Sequence, residues 1–144
     1  MGQQAKLIHS IHKSRLDEAL DTGLKAISQY ADLGLEVRRG VVYCWLRKED
    51  DKLGAGGQRA DYVYLQVTVE QDRCTVADME LSSIALMYSQ GSGGKPKNVE
   101  ASRLFAEAYR ITSVPLSEYK RGMFWSPEVL VDGDVGPECI QILP

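Results

Sequence analysis

Residues 62–70 read Tyr-Val-Tyr-Leu-Gln-Val-Thr-Val-Glu, and this stretch decides the fold class. Aliphatic residues occupy every second position, and Tyr, Gln and Thr lie between them. Successive side chains of a strand point to opposite faces, so the pattern predicts a half-buried strand with one wet or partner-facing side. Residues 36–47, rich in β-branched and aromatic side chains, predict a second strand. The glycine-rich connection over 49–59 is long enough for an open hairpin, so we expect these two strands to pair antiparallel.

The clearest helical pattern covers residues 14–33. Its apolar residues recur three or four positions apart, which places them on one face of a helix. They are Leu16, Leu20, Leu24, Ile27 and Ala31. Ser14 and Asp17 fit a capping box at the start of this helix. Gly34 is placed where a left-handed residue would end it.

Residues 73–88 fit two interpretations, a strand that begins at Cys74 or a helix over 77–89. The apolar residues over 81–88 follow the helical spacing i, i+3, i+4, i+7, which favours the helix. A further helix is predicted over 98–110, where the N-terminal Asn side chain can cap the first turn.

The C-terminal third predicts strands and turns: a short edge segment over 111–116, a strand over 127–131, and a closing hairpin strand over 138–143. Helices and strands are therefore segregated along the chain, which predicts an α+β fold. We expect an antiparallel sheet of about four to five strands, packed by the N-terminal helix and one or two further helices. The chain is predicted to form a single domain, 1–144, with 1–12 as a candidate flexible end.

The bulk composition excludes several classes of protein. In 144 residues, 44% are hydrophobic and the formal net charge is −3, values that argue against wholesale disorder. The mild acidity argues against a general nucleic-acid-binding protein, and no apolar run is long enough to cross a membrane. The three cysteines, Cys44, Cys74 and Cys139, are far apart and odd in number, so we expect a reducing cytoplasmic location.

The sequence assigns no catalytic residue, no metal ligand and no cofactor. His9 and His12 are the only histidines. A metal site would need a third ligand from elsewhere, and we expect both histidines to be solvated at a frayed terminus. No histidine then lies in the main body of the fold, which disfavours Ser-His and Cys-His hydrolases, and we expect a protein that is not an enzyme.

Two other candidate sites have ordinary structural interpretations. The loop Gly91–Lys95 precedes a helix, but it lacks the spacing of a Walker or dinucleotide loop, so it is predicted to be a linker. Asp132, Asp134 and Glu138 could approach a cation, but Asp-Gly is a favoured turn dipeptide and the other ligands of a calcium loop are missing.

The leading functional prediction is an aromatic surface edged by arginines. Alternation along the two predicted strands places its members opposite the aliphatic faces. They are Arg39, Tyr43, Trp45, Arg47, Tyr62 and Tyr64. Aromatic residues and arginine are enriched in interface cores, so we expect a protein-interaction module that is a homodimer or binds a protein partner. The alternative for this surface is that another layer of the same chain covers it as core.

A second functional hypothesis is a small-molecule-binding protein or enzyme. Its pocket would lie between the sheet and the C-terminal hairpin, lined by Tyr64, Tyr119 and Trp125. Trp125 could equally seat that hairpin on the core. Single-stranded nucleic-acid binding by stacking is a weaker third hypothesis, which the acidic composition opposes.

Overall fold

The computed structural model describes residues 2–28, 35, 38–52, 59–91 and 97–144. The described strands are β1 (Gln4–His12), β2 (Val41–Cys44), β3 (Tyr62–Glu70), β4 (Cys74–Asp78), β5 (Val114–Pro115), β6 (Pro127–Asp132) and β7 (Ile140–Ile142). The described helices are α1 (Leu16–Thr22), α2 (Met79–Gln90) and α3 (Val99–Thr112). The predicted α+β class is confirmed, but the described strands form two sheets and not one sheet of four to five strands.

The two sheets are antiparallel and have the strand orders β1-β3-β7 and β2-β6-β4-β5. The predicted hairpin between β2 and β3 is wrong, because β2 pairs with β6 while β3 lies between β1 and β7. The predicted C-terminal hairpin is also wrong, because β6 and β7 belong to different sheets. Alternation shows which face of a strand is buried, but it does not select among several antiparallel partners.

A backbone pair joins the two sheets at one corner. The Ile8 N–H donates to the Trp45 carbonyl at 2.8 Å, and the Trp45 N–H donates to the Ile8 carbonyl at 2.7 Å. Trp45 follows β2 directly, so β2 and β1 are neighbours here even though they belong to different sheets. The outer faces of the two sheets are therefore continuous across this corner.

The described residues form three layers with two apolar cores. The first core lies between the sheets and is formed by Leu7, Leu65, Val67, Val76, Val129, Val131 and their neighbours. The second core lies between the other face of β2-β6-β4-β5 and the helices α2 and α3. It contains Val41, Ala77, Ala85, Ala106, Tyr109 and Leu130. Val41 and Val42 thus belong to different cores, as alternation along β2 requires.

The helix predicted over 14–33 is much shorter in the structure. Helix α1 ends at Thr22, because Gly23 adopts φ 85° and ψ −170°, a conformation that only glycine adopts readily. A Cβ on Gly23 would lie 2.1 Å from the Val135 carbonyl oxygen, so the chain also needs glycine for this close approach. Leu24 and Ile27 then form bridges with Val135 and Val41 and not further helical turns.

The residues predicted to form the apolar face of this helix differ in their burial. Leu24 is buried, whereas Leu20 and Ile27 are 39% and 45% exposed. Ala31 and the predicted terminator Gly34 lie outside the described residues. Ser14 lies in a 3-10 turn over Lys13–Arg15 and does not cap α1. The spacing of these residues therefore indicated burial at some positions but not a continuous helix.

Other elements follow the sequence pattern closely. Strand β3 has the predicted bounds, and α3 begins after Asn98, whose Oδ1 accepts from the Ala101 N–H at 3.0 Å. Residues 73–88 contain both predicted elements, first β4 and then α2. Residues 1–12, the candidate flexible end, contain strand β1, which pairs with β3 along its whole length.

Candidate functional site

A cavity of about 290 Å³ opens where β1 and β2 separate. The strands are joined at Ile8 and Trp45, and one residue further the His9 side chain bonds the Tyr43 carbonyl. Beyond this point β1 continues beside β3, while Val41 at the other end of β2 pairs with Ile27. The resulting gap is closed by the start of α1 and by residues 23–27.

His9 lies on the inward side of β1 and lines the cavity. Its Nδ1 is 2.6 Å from the backbone carbonyl oxygen of Tyr43. Burial lowers the pKa of His9, although the hydrogen bond to Tyr43 opposes the shift, and the nearby Arg15 charge adds to it. The ring is therefore neutral at pH 7.

His12 lines the same cavity from the outer side of β1. Its Nδ1 accepts from the backbone N–H of Ser14 at 3.2 Å and lies 2.8 Å from the Ser14 hydroxyl. Its ring also packs edge-on against Tyr62, with 5.3 Å between centroids. Contacts on two sides therefore hold His12 in place at the cavity.

Charged residues stand at the rim of the cavity. Arg15, Glu18 and Lys25 line it and are exposed. Lys25 Nζ donates to the Thr22 carbonyl at 3.1 Å. No salt bridge joins Arg15 to another residue in the described part of the chain. Two cationic side chains against one carboxylate give the rim a positive balance.

The deeper wall is apolar. Ile11, Leu24 and Val42 are buried core residues that also line the cavity. The half-buried residues Tyr43 and Tyr62 also line the cavity. An apolar interior with a few polar groups at the rim is the usual composition of a small-molecule site. The volume lies just below the usual range for such sites, about 300–1,000 Å³, so the cavity suits only a small ligand.

The structure places the residues of the predicted aromatic surface in different surroundings. Tyr43 contributes to the second core, with the Arg38 guanidinium 4.5 Å above its ring and its hydroxyl donating to the Arg38 carbonyl at 3.1 Å. Tyr62 contacts His12. Tyr64 donates to Asp51 Oδ2 at 2.9 Å. Groups of the same chain thus contact each of these three tyrosines.

Trp45, Tyr62 and Tyr64 nevertheless share the outer face of the joined sheets, because β1 lies between β2 and β3 and all three rings alternate with inward residues. Each ring is half-buried. The predicted edge arginines, Arg39 and Arg47, are exposed. Of the six predicted residues, Tyr43 and Tyr62 line the cavity.

The alternative pocket residues lie elsewhere. Tyr119 packs on Phe124, with 5.5 Å between ring centroids, and contributes to the first core. Trp125 is 72% exposed, and its carbonyl accepts from Lys52 Nζ at 2.6 Å. Tyr64, Tyr119 and Trp125 are not among the residues that line the described cavity.

The remaining sequence candidates have structural roles. Asp134 Oδ1 accepts from the Ala26 N–H at 2.7 Å, and Arg73 donates to the backbone carbonyls of Asp132 and Asp134. Most of the glycine-rich loop, 92–96, lies outside the described residues. Among the described residues, no three His, Cys, Asp or Glu side chains are grouped as metal ligands. No described helix has the length and apolar character needed to cross a membrane.

Sequence reasoning missed the cavity because it treated His9 and His12 as residues of a frayed end. Residues 4–12 carry the signal that could have placed them, since Leu7, His9 and Ile11 occupy alternate positions of one strand. A histidine between two core positions faces the interior.

No protein-family model matches this chain, and no curated protein sequence does. Function must therefore be inferred from the geometry of the chain itself.

Proposed function

We propose that this protein binds a small anionic molecule in the cavity between β1 and β2, and that it acts as a binding protein and not as an enzyme. The observation that carries the proposal is the combination of an apolar cavity of about 290 Å³ with a cationic rim. Arg15 and Lys25 supply the positive charge, and Ile11, Leu24 and Val42 supply the apolar wall. Such a site favours an anion with a compact apolar body.

A matched pair of ligands tests the role of charge. Phenylacetate and phenylacetamide have nearly the same shape but differ in charge, so their dissociation constants can be compared by isothermal titration calorimetry. We expect the acid to bind more tightly, with an advantage that shrinks as salt is added. Equal affinities, or no binding by either compound or by a broader set of small carboxylates and phosphates, would contradict the proposal.

A matched pair of variants tests the location. Arg15→Gln removes a rim charge, whereas Arg103→Gln removes an exposed charge on α3, outside the cavity lining. Exposed charge pairs contribute about 0.2–1 kcal/mol, so Arg15→Gln should weaken acid binding up to about fivefold. The Arg103 variant should bind as the wild type does. Equal effects of the two variants would show that binding depends on overall charge and not on the cavity.

As a second candidate, we propose self-association of two copies through the outer face of β1 and β3, with Trp45 and Tyr64 in the contact and Arg47 at its edge. This proposal is supported by one observation: in the described ranges no helix packs extensively on that face. Light scattering should then show a dimer that Trp45→Ala weakens. A monomer at every concentration tested would exclude this function.

We further propose a cytoplasmic location. Its support is that Cys44, Cys74 and Cys139 are all free thiols. Burial raises the pKa of Cys74 to about 11 and raises the pKa of Cys44 further, so neither thiol is reactive at neutral pH. Cell fractionation tests the proposal, and recovery of the protein only from an oxidising compartment would contradict it.

A further inference from the structure

We infer that the two histidines of the cavity have opposite hydrogen-bonding polarity, and that they select an anion that also carries a hydroxyl group. His9 presents an acceptor, and His12 presents a donor. This inference rests on the proposed binding function and specifies its ligand class: a small hydroxy acid with an apolar or aromatic body.

The tautomer of His9 follows from its partner. A carbonyl oxygen can only accept a hydrogen bond, so the 2.6 Å contact with Tyr43 places the proton on Nδ1. Because the pKa of His9 is lowered by burial, the ring is neutral and its Nε2 keeps a lone pair. No described residue donates a hydrogen bond to that Nε2. A ligand group that meets Nε2 must therefore be a donor.

His12 has the opposite tautomer for the same kind of reason. A backbone N–H can only donate, so the Ser14 N–H at 3.2 Å requires a lone pair on His12 Nδ1. The ring proton is then on Nε2. A ligand group that meets this nitrogen must accept, and a carboxylate or phosphate oxygen does so.

The rim charges extend this preference. Arg15 and Lys25 line the same cavity and favour an anionic group there, while Glu18 is the acidic lining residue that opposes a second negative charge. The other titratable residues facing the cavity are Tyr43 and Tyr62, whose phenol groups can donate or accept a hydrogen bond. A monoanion with a separate hydroxyl therefore satisfies the cavity better than a dianion or a simple carboxylate. A site built to hydrogen-bond a hydroxyl discriminates against the analogue that lacks it.

The tautomers can be measured in the free protein, without any ligand. Two-bond proton–nitrogen NMR correlations of the imidazole rings distinguish a protonated from an unprotonated nitrogen. We expect a protonated Nδ1 in His9 and a protonated Nε2 in His12 at pH 7.5. The same tautomer in both rings, or the reverse assignment, would overturn the inference.

The second test of the inference is ligand selectivity, with 4-hydroxyphenylacetate and phenylacetate as probes. The hydroxyl should improve affinity about three- to tenfold, as one net hydrogen bond does. His9→Asn keeps an N–H that can donate to the Tyr43 carbonyl but removes the Nε2 acceptor. In this variant the two acids should bind equally, whereas in Arg103→Gln the hydroxyl advantage should remain.

The outcomes separate the inference from the proposed function. If both acids bind the wild type at the cavity but the hydroxyl gives no advantage, the inference is wrong while the binding function stands. If the hydroxylated acid still binds more tightly in His9→Asn, His9 does not recognise the hydroxyl and the inference is also wrong. If no acid binds, the proposed function fails together with the inference.

Discussion

A buried ion pair beneath the helices gives the sharpest test of the fold. Arg38 and Glu128 are 5% and 2% exposed, and Arg38 Nη1 lies 2.5 Å from Glu128 Oε2. The Tyr109 hydroxyl donates to the same carboxylate oxygen at 2.7 Å, and Arg38 Nη1 also donates to the Ser82 hydroxyl at 3.1 Å. Glu128→Gln keeps the size of the side chain but removes its charge.

The expected cost follows from burial. Burial raises the pKa of Glu128, and the Arg38 charge and the Tyr109 hydroxyl oppose that shift. Removing one member of a buried pair leaves the other charge uncompensated, which costs about 3–5 kcal/mol. Typical unfolding free energies are about 5–15 kcal/mol, so this one change should remove a large part of the stability.

Urea unfolding followed by circular dichroism measures this cost. With slopes of about 1–3 kcal/mol per molar urea, the Glu128→Gln midpoint should fall by at least about 1 M. Glu118→Gln, a change of the same chemistry at an exposed position, should stay within about 0.5 kcal/mol of the wild type. A loss below about 1 kcal/mol in Glu128→Gln would refute the reasoning, because it would mean that Arg38 does not depend on this carboxylate.

Three further predictions follow from single positions. Gly23→Ala should cost at least about 1–3 kcal/mol from the backbone conformation alone, and a cost below 0.5 kcal/mol in urea unfolding would refute the close approach to Val135. Because the folded pKa of His9 is lowered, stability should fall as pH drops below about 6.5, by at most about 1.4 kcal/mol per pH unit, until the folded pKa is reached. That slope should be absent in His9→Asn, and its persistence would assign it to another group. Trp125→Ala should change stability by no more than about 0.5 kcal/mol, since this side chain is 72% exposed, and a larger loss on thermal unfolding would show that it is packed in solution.

Local patterns were sufficient to predict several elements but not their partners. Strand β3 was predicted with its observed bounds, because its alternation is uninterrupted over nine residues. Helix α3 was predicted from its Asn98 cap. The neighbours of each strand were not predictable in this way. Strand β6 lies between β2 and β4, a contact between segments far apart in sequence that no local pattern encodes.

The error over 14–33 has a specific physical cause. Leu24 and Ile27 fit helical spacing, but the bridges to Val135 and Val41 satisfy their backbone groups equally well. Gly23 favours the bridges over a continued helix, because the close Val135 carbonyl requires a residue without a Cβ. An isolated glycine in a helical pattern is usually tolerated, so its role becomes visible only with the distant strand in place.

The candidate site was less predictable than the fold. Tyr43 and Tyr62 were identified from the sequence, but as members of a surface and not as walls of a cavity. The cavity depends on where β1 leaves β2, and this depends on the single pair between Ile8 and Trp45. A junction between two sheets has no signature in either strand alone.

The most direct measurement is a crystal structure of the protein grown with 4-hydroxyphenylacetate. The account predicts the acid between β1 and β2, with its hydroxyl at His9 Nε2 and its carboxylate beside Arg15. An acid bound at another surface, or a cavity that stays without ligand at concentrations that saturate binding in solution, would contradict it.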